Sequence, residues 1–406
     1  MCRSPSMDAR SDETFENVDW NELSRSRTVL TAERVSFAIG LIVLAGLIVY
    51  ETHYVHLYLI GNWQVGLLDW ILLFGVVVLL SFGVVPMLRR RNAIRRVGSR
   101  LLERPMVVLA GVYLAGFFLV GFFGPMIYRD PGLQFGLEYL PPVGFSADLV
   151  AVDCPGGVTG EAFDRQCHGS WEYPLGTNHR GHPMGFLLVE GIRVALYVVV
   201  ATAAFVVPLA TIVGVVSGLW GGLLDDVLMA IVTVQLSVPA IVVYFVGFAI
   251  FNPSLLLLLV VFGLLSWGGI ARLVRSETVQ RRQAGYVLVA RGLGASRSYI
   301  ARRHIVPNVT NTVVPAVFQL FALLVLVEAG IAFLGFHDIQ LYSLGSTISE
   351  SINAQIRGRV QVRADRPAYQ IWWVSAFPAL VLTATLAGFK LVGDGLRDAL
   401  DPRIYR

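Results

Sequence analysis

The sequence contains little charge and few cysteines, and it lacks the short motifs of several enzyme classes. Only 15% of its 406 residues are charged, against about 25% in soluble domains. It has no G-x-x-x-x-G-K-[ST], no H-E-x-x-H and no G-x-S-x-G, which excludes a nucleotide-binding P-loop, a zincin-type metalloprotease and a nucleophile elbow. Its three cysteines have no metal-site spacing with histidine. We therefore expect no catalytic site, no metal site and no cofactor.

Long apolar stretches dominate the sequence, since 55% of the residues are hydrophobic. A membrane-spanning helix needs about 20 mostly apolar residues. The stretches are continuous rather than alternating, which indicates helices and not a barrel. The sequence therefore predicts an all-α polytopic membrane protein with spans at residues 35–57, 66–88, 105–127, 191–219, 227–250, 254–274, 312–335 and 371–393.

Arginine sets the predicted orientation, because Lys390 is the only lysine. Arginines crowd residues 89–104 and 272–303, and the positive-inside rule places both loops and both termini in the cytoplasm of a cell-membrane protein. Residues 1–34 are polar, so we expect a cytoplasmic tail without a cleavable signal peptide. One loop opposes the trend through four arginines, at Arg357, Arg359, Arg363 and Arg366.

Two cysteines lie in residues 128–190, which this orientation places outside the cell. An oxidising exterior favours a disulfide between Cys154 and Cys167, and such a loop closure contributes on the order of 3 kcal/mol. Two free thiols are the alternative. A metal site with His168 is disfavoured, because structural zinc usually takes four protein ligands.

The arginine-rich segment 272–311 separates two apolar stretches and has a regular pattern of its own. Residues 286–296 and 304–308 predict a helix, a sharp turn and a second helix. Gly294 supplies the positive φ that ends the first helix, Ser296 caps the second, and Pro307 marks the boundary before the next apolar run. One helical face carries the residues at i, i+3, i+4 and i+7, which are Tyr286, Val289, Ala290 and Leu293. A pair of amphipathic helices lying on the membrane surface explains this pattern equally well.

Two further segments carry candidate functional residues. Residues 173–183 are rich in proline and glycine, which predicts a turn cluster just outside the membrane; a plain surface turn is the alternative. Glu328 lies within the seventh span, where a carboxylate usually faces a bundle interior or a cavity. It also lies close enough to the span's outer end to reach water. Gly330 is a small residue that permits close helix contact.

Four ordered segments carry a resemblance to a known family: PLGTNHRGHP at 174–183, the loop 286–308, EAGIAFLGF at 328–336 and GDGLRDALDPR at 393–403. Together they resemble the permease subunits of ABC importers for dipeptides and oligopeptides, a group that also includes nickel importers. The chain is similar to the second of the two permeases in such systems, over roughly residues 105–406.

The resemblance implies a six-helix type I permease core preceded by two extra transmembrane helices. Residues 105–127 would be its first core helix, 128–190 an extracytoplasmic loop, and 191–406 the remainder, with 35–104 holding the extra helices and an arginine-rich loop. The extracytoplasmic motif would include Pro174, Leu175, Gly176, Thr177 and Gly181. Glu328 and Gly330 are candidates for the pathway or gate.

The resemblance also implies partners: a second permease, two ATP-hydrolysing subunits and an extracytoplasmic peptide-binding lipoprotein, all at a lipid membrane and none a nucleic acid. The loop would dock in a groove of an ATPase subunit, so the chain itself would be no enzyme. The matched positions are Ala290, Arg291, Leu293, Gly294, Ala295, Ser296, His304 and Pro307.

The sequence departs from the family pattern at several points. Leu288 stands where the loop glutamate would be, and Val289 where its first alanine would be. Asn178, His182 and Pro183 replace three charged residues of the outer motif. The two helices before residue 89 lie outside the pattern.

Three other functions remain open at this level. A nickel importer is the alternative within the family. An ion-coupled secondary transporter would show inverted repeats and several buried charges, neither of which is evident in the sequence. A membrane scaffold without transport would not need the turn at Gly294.

Overall fold

A computed structural model describes residues 31–54, 59, 63–89, 91–128, 130–148, 153–161, 165–251, 254–338, 341–356 and 368–400. Most of the polar tail 1–34, the arginines at 357–366 and the end of the C-terminal motif lie outside these ranges. Within them the chain is almost entirely helical, which confirms the predicted all-α class.

The N-terminal part forms five helices, which together provide three segments long and apolar enough to span a membrane. The second span continues from α2 through a π-helical turn at Leu80–Val84 into α3. The helix α4 is short and carries the arginines between the second and third spans. The bounds are Ala32–Tyr54 for α1, Leu67–Leu79 for α2, Val85–Arg89 for α3, Arg91–Leu102 for α4 and Pro105–Ile127 for α5.

The segment between α5 and the next span holds a small antiparallel sheet with strand order β1-β3-β2. Its strands are Ser146–Asp148, Val158–Thr159 and Gln166–His168. Cys167 lies in the central strand, opposite Ala147 on one side and Val158 on the other. A disulfide joins Cys167 to Cys154, so the bond that the sequence predicts is present and closes the turn between the strands.

Eleven helices complete the described part of the chain. They are α6 Met184–Ala201, α7 Val207–Trp220, α8 Gly222–Ser237, α9 Ala240–Ile250, α10 Leu255–Leu265, α11 Gly268–Arg281, α12 Gly285–Gly292, α13 Arg297–Ile300, α14 Val306–Phe333, α15 Leu344–Ile356 and α16 Trp372–Leu400. A π-helical turn at Thr202–Val206 joins α6 to α7.

The helices that can span a membrane number seven in the described residues, or eight if the bent pair α8 and α9 is one span. The prediction of one continuous helix over 227–250 is therefore wrong. The pair bends by 69° at Val238, whose backbone is extended (φ −90°, ψ 118°). Pro239 explains this conformation, because proline disfavours the α region for the residue before it.

A close contact joins α7 to α11 through two glycines spaced i, i+4. A Cβ at Gly214 would lie 2.6 Å from the Ala271 carbonyl oxygen, and one at Gly218 would lie 2.7 Å from the Thr278 Cβ. Small residues let two backbones approach this closely. The contact fixes α11, from whose end the arginine-rich loop departs.

The bundle has two faces. The disulfide face carries residues 128–183, and the arginine face, at the other end of α5, carries residues 91–104 and 282–305. Between them lies one large apolar core that includes Tyr244, Val274, Ile305 and Phe389.

Candidate functional site

On the arginine face, α12 and α13 form the helix-turn-helix that the sequence predicts for residues 286–304. The predicted face of α12 points into solvent, with Tyr286 44%, Val289 64% and Leu293 73% exposed. Leu288 is exposed as well. Exposed apolar side chains clustered on one helix are typical of a binding surface, and we call these four residues the α12 patch.

The patch is held in place from beneath. Val287, Ile300 and Ile305 are buried in the main core. His304 packs between the rings of Tyr286 and Tyr299, at 6.0 and 5.9 Å between centroids. The two short helices are therefore fixed to each other and to the bundle.

The turn between the helices depends on Gly294. Its φ is +83°, which is the left-handed conformation expected from the sequence and the one that glycine adopts most easily. Ala295 donates to the Ala290 carbonyl at 3.0 Å, which closes the end of α12. The Ser296 hydroxyl then accepts from the Tyr299 amide at 3.3 Å, so Ser296 caps α13 as predicted.

The prediction for Pro307 is wrong in one respect. A π-helical turn at Ala301–Ile305 connects α13 directly to α14, and Pro307 occupies one of the first positions of α14. Because proline has no amide hydrogen, the helix lacks one backbone hydrogen bond at this position, directly after the π-helical turn. The loop thus leads into the next span without a break.

Ion pairs fix the base of the loop to α7 and α8. Arg275 contacts both carboxylate oxygens of Asp225 at 2.6 Å, and Ser217 donates to the same carboxylate. Arg282 donates to the Gly218 carbonyl at 2.9 Å. A bidentate arginine–carboxylate pair has a fixed geometry, so a force on the loop reaches these helices directly.

A polar groove of about 800 Å³ opens beside the loop, between α11, α14 and α16. Glu277, Asn308, Asn311, Gln319 and Arg397 supply most of its polar groups, and Pro315 lies at its wall. The groove lies between the arginine-rich loop and the interior of the bundle.

At the disulfide face, the centre of the motif 174–183 is buried, at residues 176–178 and 181–182, which does not fit the alternative of a plain surface turn. Thr177 is fully buried: its hydroxyl donates to the Leu137 carbonyl at 2.5 Å and accepts from the Leu140 amide at 2.8 Å. Trp373 donates to the Thr177 carbonyl at 3.1 Å. Gly176 has φ +79°, and a Cβ there would lie 3.0 Å from the Trp373 indole.

The remaining motif residues differ in their exposure. Pro174 is exposed, Leu175 is half-buried and packs against a small cluster of apolar residues at this face, and Gly181 lies against Gln134 with φ +75°. The motif therefore joins the loop 128–183 to α6 and α16 through its backbone.

Polar side chains of the same motif reach α15. Asn178 donates to Glu350 at 3.0 Å, and His179 lies 3.2 Å from the same carboxylate oxygen. Asn178 also accepts from the amides of Arg180 and His182. Asparagine is therefore the residue that orders this turn, at a position where the sequence departs from the family pattern.

His182 is 1% exposed, and neither ring nitrogen has a hydrogen-bond partner within the described structure. Its ring contacts Phe186 and Tyr342. Burial lowers the pKa of His182 below its ordinary value, and the carboxylate of Asp130 opposes that shift in part. The side chain is thus neutral at neutral pH.

Glu328 is buried inside the bundle and is 5% exposed, so it does not extend to water. It borders a small cavity of about 20 Å³ together with Tyr244, His337 and Ser343, which is room for about one water molecule. Gly330 is exposed, and a Cβ there would have no atom within 4 Å in the described structure. The expected close contact at Gly330 is therefore wrong within this chain; Gly345, packed against Ala329, provides the close approach instead.

A polar cluster that sequence reasoning missed lies between α2 and α6. Asp69 of α2 is 3% exposed and contacts Arg193 and Tyr197 of α6. The available signal was a lone carboxylate in an otherwise apolar span, with an arginine in another.

No group of three or more potential metal ligands occurs in the part of the chain that is described.

Comparison with known proteins shows which family this chain belongs to. The sequence model of the family "binding-protein-dependent transport system inner membrane component" matches residues 210–406. The chain is 34% identical to the oligopeptide transport system permease protein OppC of Escherichia coli (strain K12), over 56% of this chain and 72% of that protein. The chain belongs to this family.

Two other family members are similar over the same extent. OppC of Haemophilus influenzae is 32% identical over 56% of this chain and 70% of its own length. The dipeptide transport system permease protein DppC of Bacillus subtilis (strain 168) is 27% identical over 58% and 71%. The match to the family includes the loop 272–311 and the helices α14 to α16, whereas α1 to α6 precede it.

Proposed function

We propose that this chain is the permease subunit of an ATP-driven ABC importer for di- and oligopeptides. It would form the translocation pathway with a second, homologous permease, and two ATPase subunits would supply the energy. An extracytoplasmic binding protein would deliver the solute. Family membership supports the class of transporter, and the names of the relatives support peptides rather than nickel.

The observation that carries the proposal is the α12 patch. Three apolar side chains, Tyr286, Val289 and Leu293, project from a short helix whose other side is fixed in the core. Helix-in-groove binding uses anchors at this spacing. The arginine face would then be cytoplasmic, as the positive-inside rule expects, and both termini would lie on that side.

Motion would pass from the ATPase to the bundle along a rigid path. The patch leads through Ile305 into α14, while Arg275 ties α11 to Asp225 of α8. Because packed helices move as units and not by continuous deformation, displacement of the loop would open or close the groove beside Pro315. Glu328 would line the gate between that groove and the disulfide face.

Crosslinking tests this assignment. A photoreactive residue at Val289, which is 64% exposed, should crosslink to the ATPase subunit in the assembled transporter. The same probe at the buried Val287 should not. Absence of an ATPase adduct from Val289 in an assembly that hydrolyses ATP would contradict the coupling role.

The solute is tested separately. Vesicles containing the complete transporter should accumulate labelled peptide when ATP and the binding protein are supplied. Competition by excess unlabelled peptide, with no competition by nickel, is the expected result. Import of nickel without import of peptide would favour the alternative substrate.

A further inference from the structure

The helices α1 to α4 precede the segment that matches the family, yet α2 is joined to the core by a specific polar contact. Asp69 accepts hydrogen bonds from Arg193 at 2.8 Å, Tyr197 at 2.6 Å and Trp63 at 3.1 Å on one carboxylate oxygen. Its other oxygen accepts from the Gly66 amide at 2.8 Å. Four donors therefore compensate the charge of a carboxylate that is almost completely buried.

The receiving residues lie on a single face of α6. Glu190, Arg193 and Tyr197 are spaced i, i+3 and i+7, which places them on one side of the helix. Arg193 donates through Nε to the Tyr197 hydroxyl at 2.7 Å and contacts Glu190 at 3.4 Å. Asp69 thus adds a second carboxylate partner to an arginine that Glu190 already contacts.

Apolar packing continues the contact along α2. Gly75 lies directly against the core: a Cβ there would be 2.6 Å from a methyl group of Val200. The ring of Phe74 stacks on Phe205, at 5.8 Å and 19°. Glycine at position 75 therefore lets α2 and α6 approach closely in the region between the disulfide face and the arginine face.

A second polar contact fixes the same N-terminal segment at the arginine face. Arg100 of α4 donates to the Ala399 carbonyl in the last turn of α16 at 2.7 Å. Arg104 forms an ion pair with Asp398. Cations near a helix C-terminus are favoured by the helix dipole and by its free carbonyl groups.

We propose that Glu190, Arg193 and Tyr197 form a docking site on the core whose occupant is residues 63–104 of the same chain. The docked segment joins α6 near the disulfide face to α16 at the arginine face. It therefore holds these two core helices together as one body. The reason is electrostatic: Asp69 is almost completely buried, and its charge would be costly without the donors that Arg193 and Tyr197 of α6 supply.

Disulfide trapping in the full chain tests the docking. A Cβ at Gly75 would lie 3.4 Å from the Ala204 Cβ, close to the spacing of about 3.5–4.5 Å in disulfides. The reporter carries Gly75→Cys and Ala204→Cys, Val200→Ala to make room, and Cys2→Ser to remove the remaining cysteine outside the native disulfide. We measure the rate of crosslinking under mild oxidation in membranes.

Asp69→Leu in this reporter should slow crosslinking by roughly tenfold or more, because the donors on Arg193 and Tyr197 then lose the carboxylate that accepts their hydrogen bonds. The triple variant Asp69→Leu/Glu190→Leu/Arg193→Leu should recover the parental rate, since all three charges are gone. Asp226→Leu, at an exposed aspartate of α8, is the matched control and should have no effect. An unchanged rate in Asp69→Leu, or a triple variant as slow as the single one, overturns the docking site.

The claim that α6 and α16 are held together as one body rests on the proposed function and has its own measurement. Peptide uptake by the reporter should be equal before and after the disulfide forms. Loss of uptake on oxidation, with recovery on reduction, would show that α2 must move against α6 and would refute the claim. If the unmodified transporter imports no peptide, the proposed function fails, and the crosslinking rates still decide the docking site.

Discussion

Replacing Gly294 with valine isolates the contribution of one backbone angle to the arginine-rich loop. Gly294 has φ +83° and open space around it, since no atom lies within 4 Å of a Cβ placed there. A substitution therefore causes no clash, and its cost comes from the left-handed conformation alone. That cost is about 1–2 kcal/mol for an ordinary L-residue.

The matched control is two residues away. Gly292 ends α12, is exposed, and likewise has no atom within 4 Å of a Cβ, but its φ is not positive. Gly292→Val should be neutral or slightly favourable, because valine has a higher helix propensity than glycine. The effect of Gly294→Asn should lie between the effects of the two valine substitutions, since asparagine tolerates the left-handed region.

We expect Gly294→Val to lower the equilibrium ratio of correctly turned to misturned loop by about 5- to 30-fold, which weakens ATPase docking and peptide uptake while membrane insertion stays intact. Crosslinking from Val289 to the ATPase and uptake in vesicles measure the two effects. Equal behaviour of the Gly294→Val and Gly292→Val variants would refute the reasoning, because the two positions differ mainly in φ.

Three further outcomes follow from the described structure. Replacing both Cys154 and Cys167 with serine should lower the stability of the sheet at the disulfide face by on the order of 3 kcal/mol, seen as faster proteolysis of residues 128–183. Burial keeps the pKa of His182 below 6.5. The stability that this neutral, buried ring gives to the disulfide face is therefore fully present above pH 6.5, and it is lost as the pH falls through the lower pKa of the folded state. His182→Phe should make proteolysis of this face less sensitive to acid, and equal sensitivity would contradict the assignment. Glu328→Leu should reduce uptake severalfold while the complex still assembles, because the cavity at Ser343 loses its carboxylate; wild-type uptake would exclude a role in the gate.

Several features were predictable from the sequence because their causes are local. Glycine in a short polar turn predicts positive φ, and Gly294 adopts it. Serine before a helix predicts a cap, and Ser296 provides one. A continuous apolar run predicts a spanning helix, and α5, α14 and α16 remain single helices around an internal proline. At Pro239, in contrast, the pair α8 and α9 bends by 69°.

The sequence alone thus determines that this is a helical membrane protein of a transport family with a structured loop, because low charge, long apolar runs and short ordered motifs are properties of the chain itself. Only the tertiary structure decided the rest. Asp69 and Arg193 are 124 residues apart, and Thr177 meets Trp373 across 196 residues. Glu328 is buried and Gly330 exposed on the same helix. No local periodicity encodes which faces of distant helices meet, so the partners of these polar groups exist only once the bundle has packed.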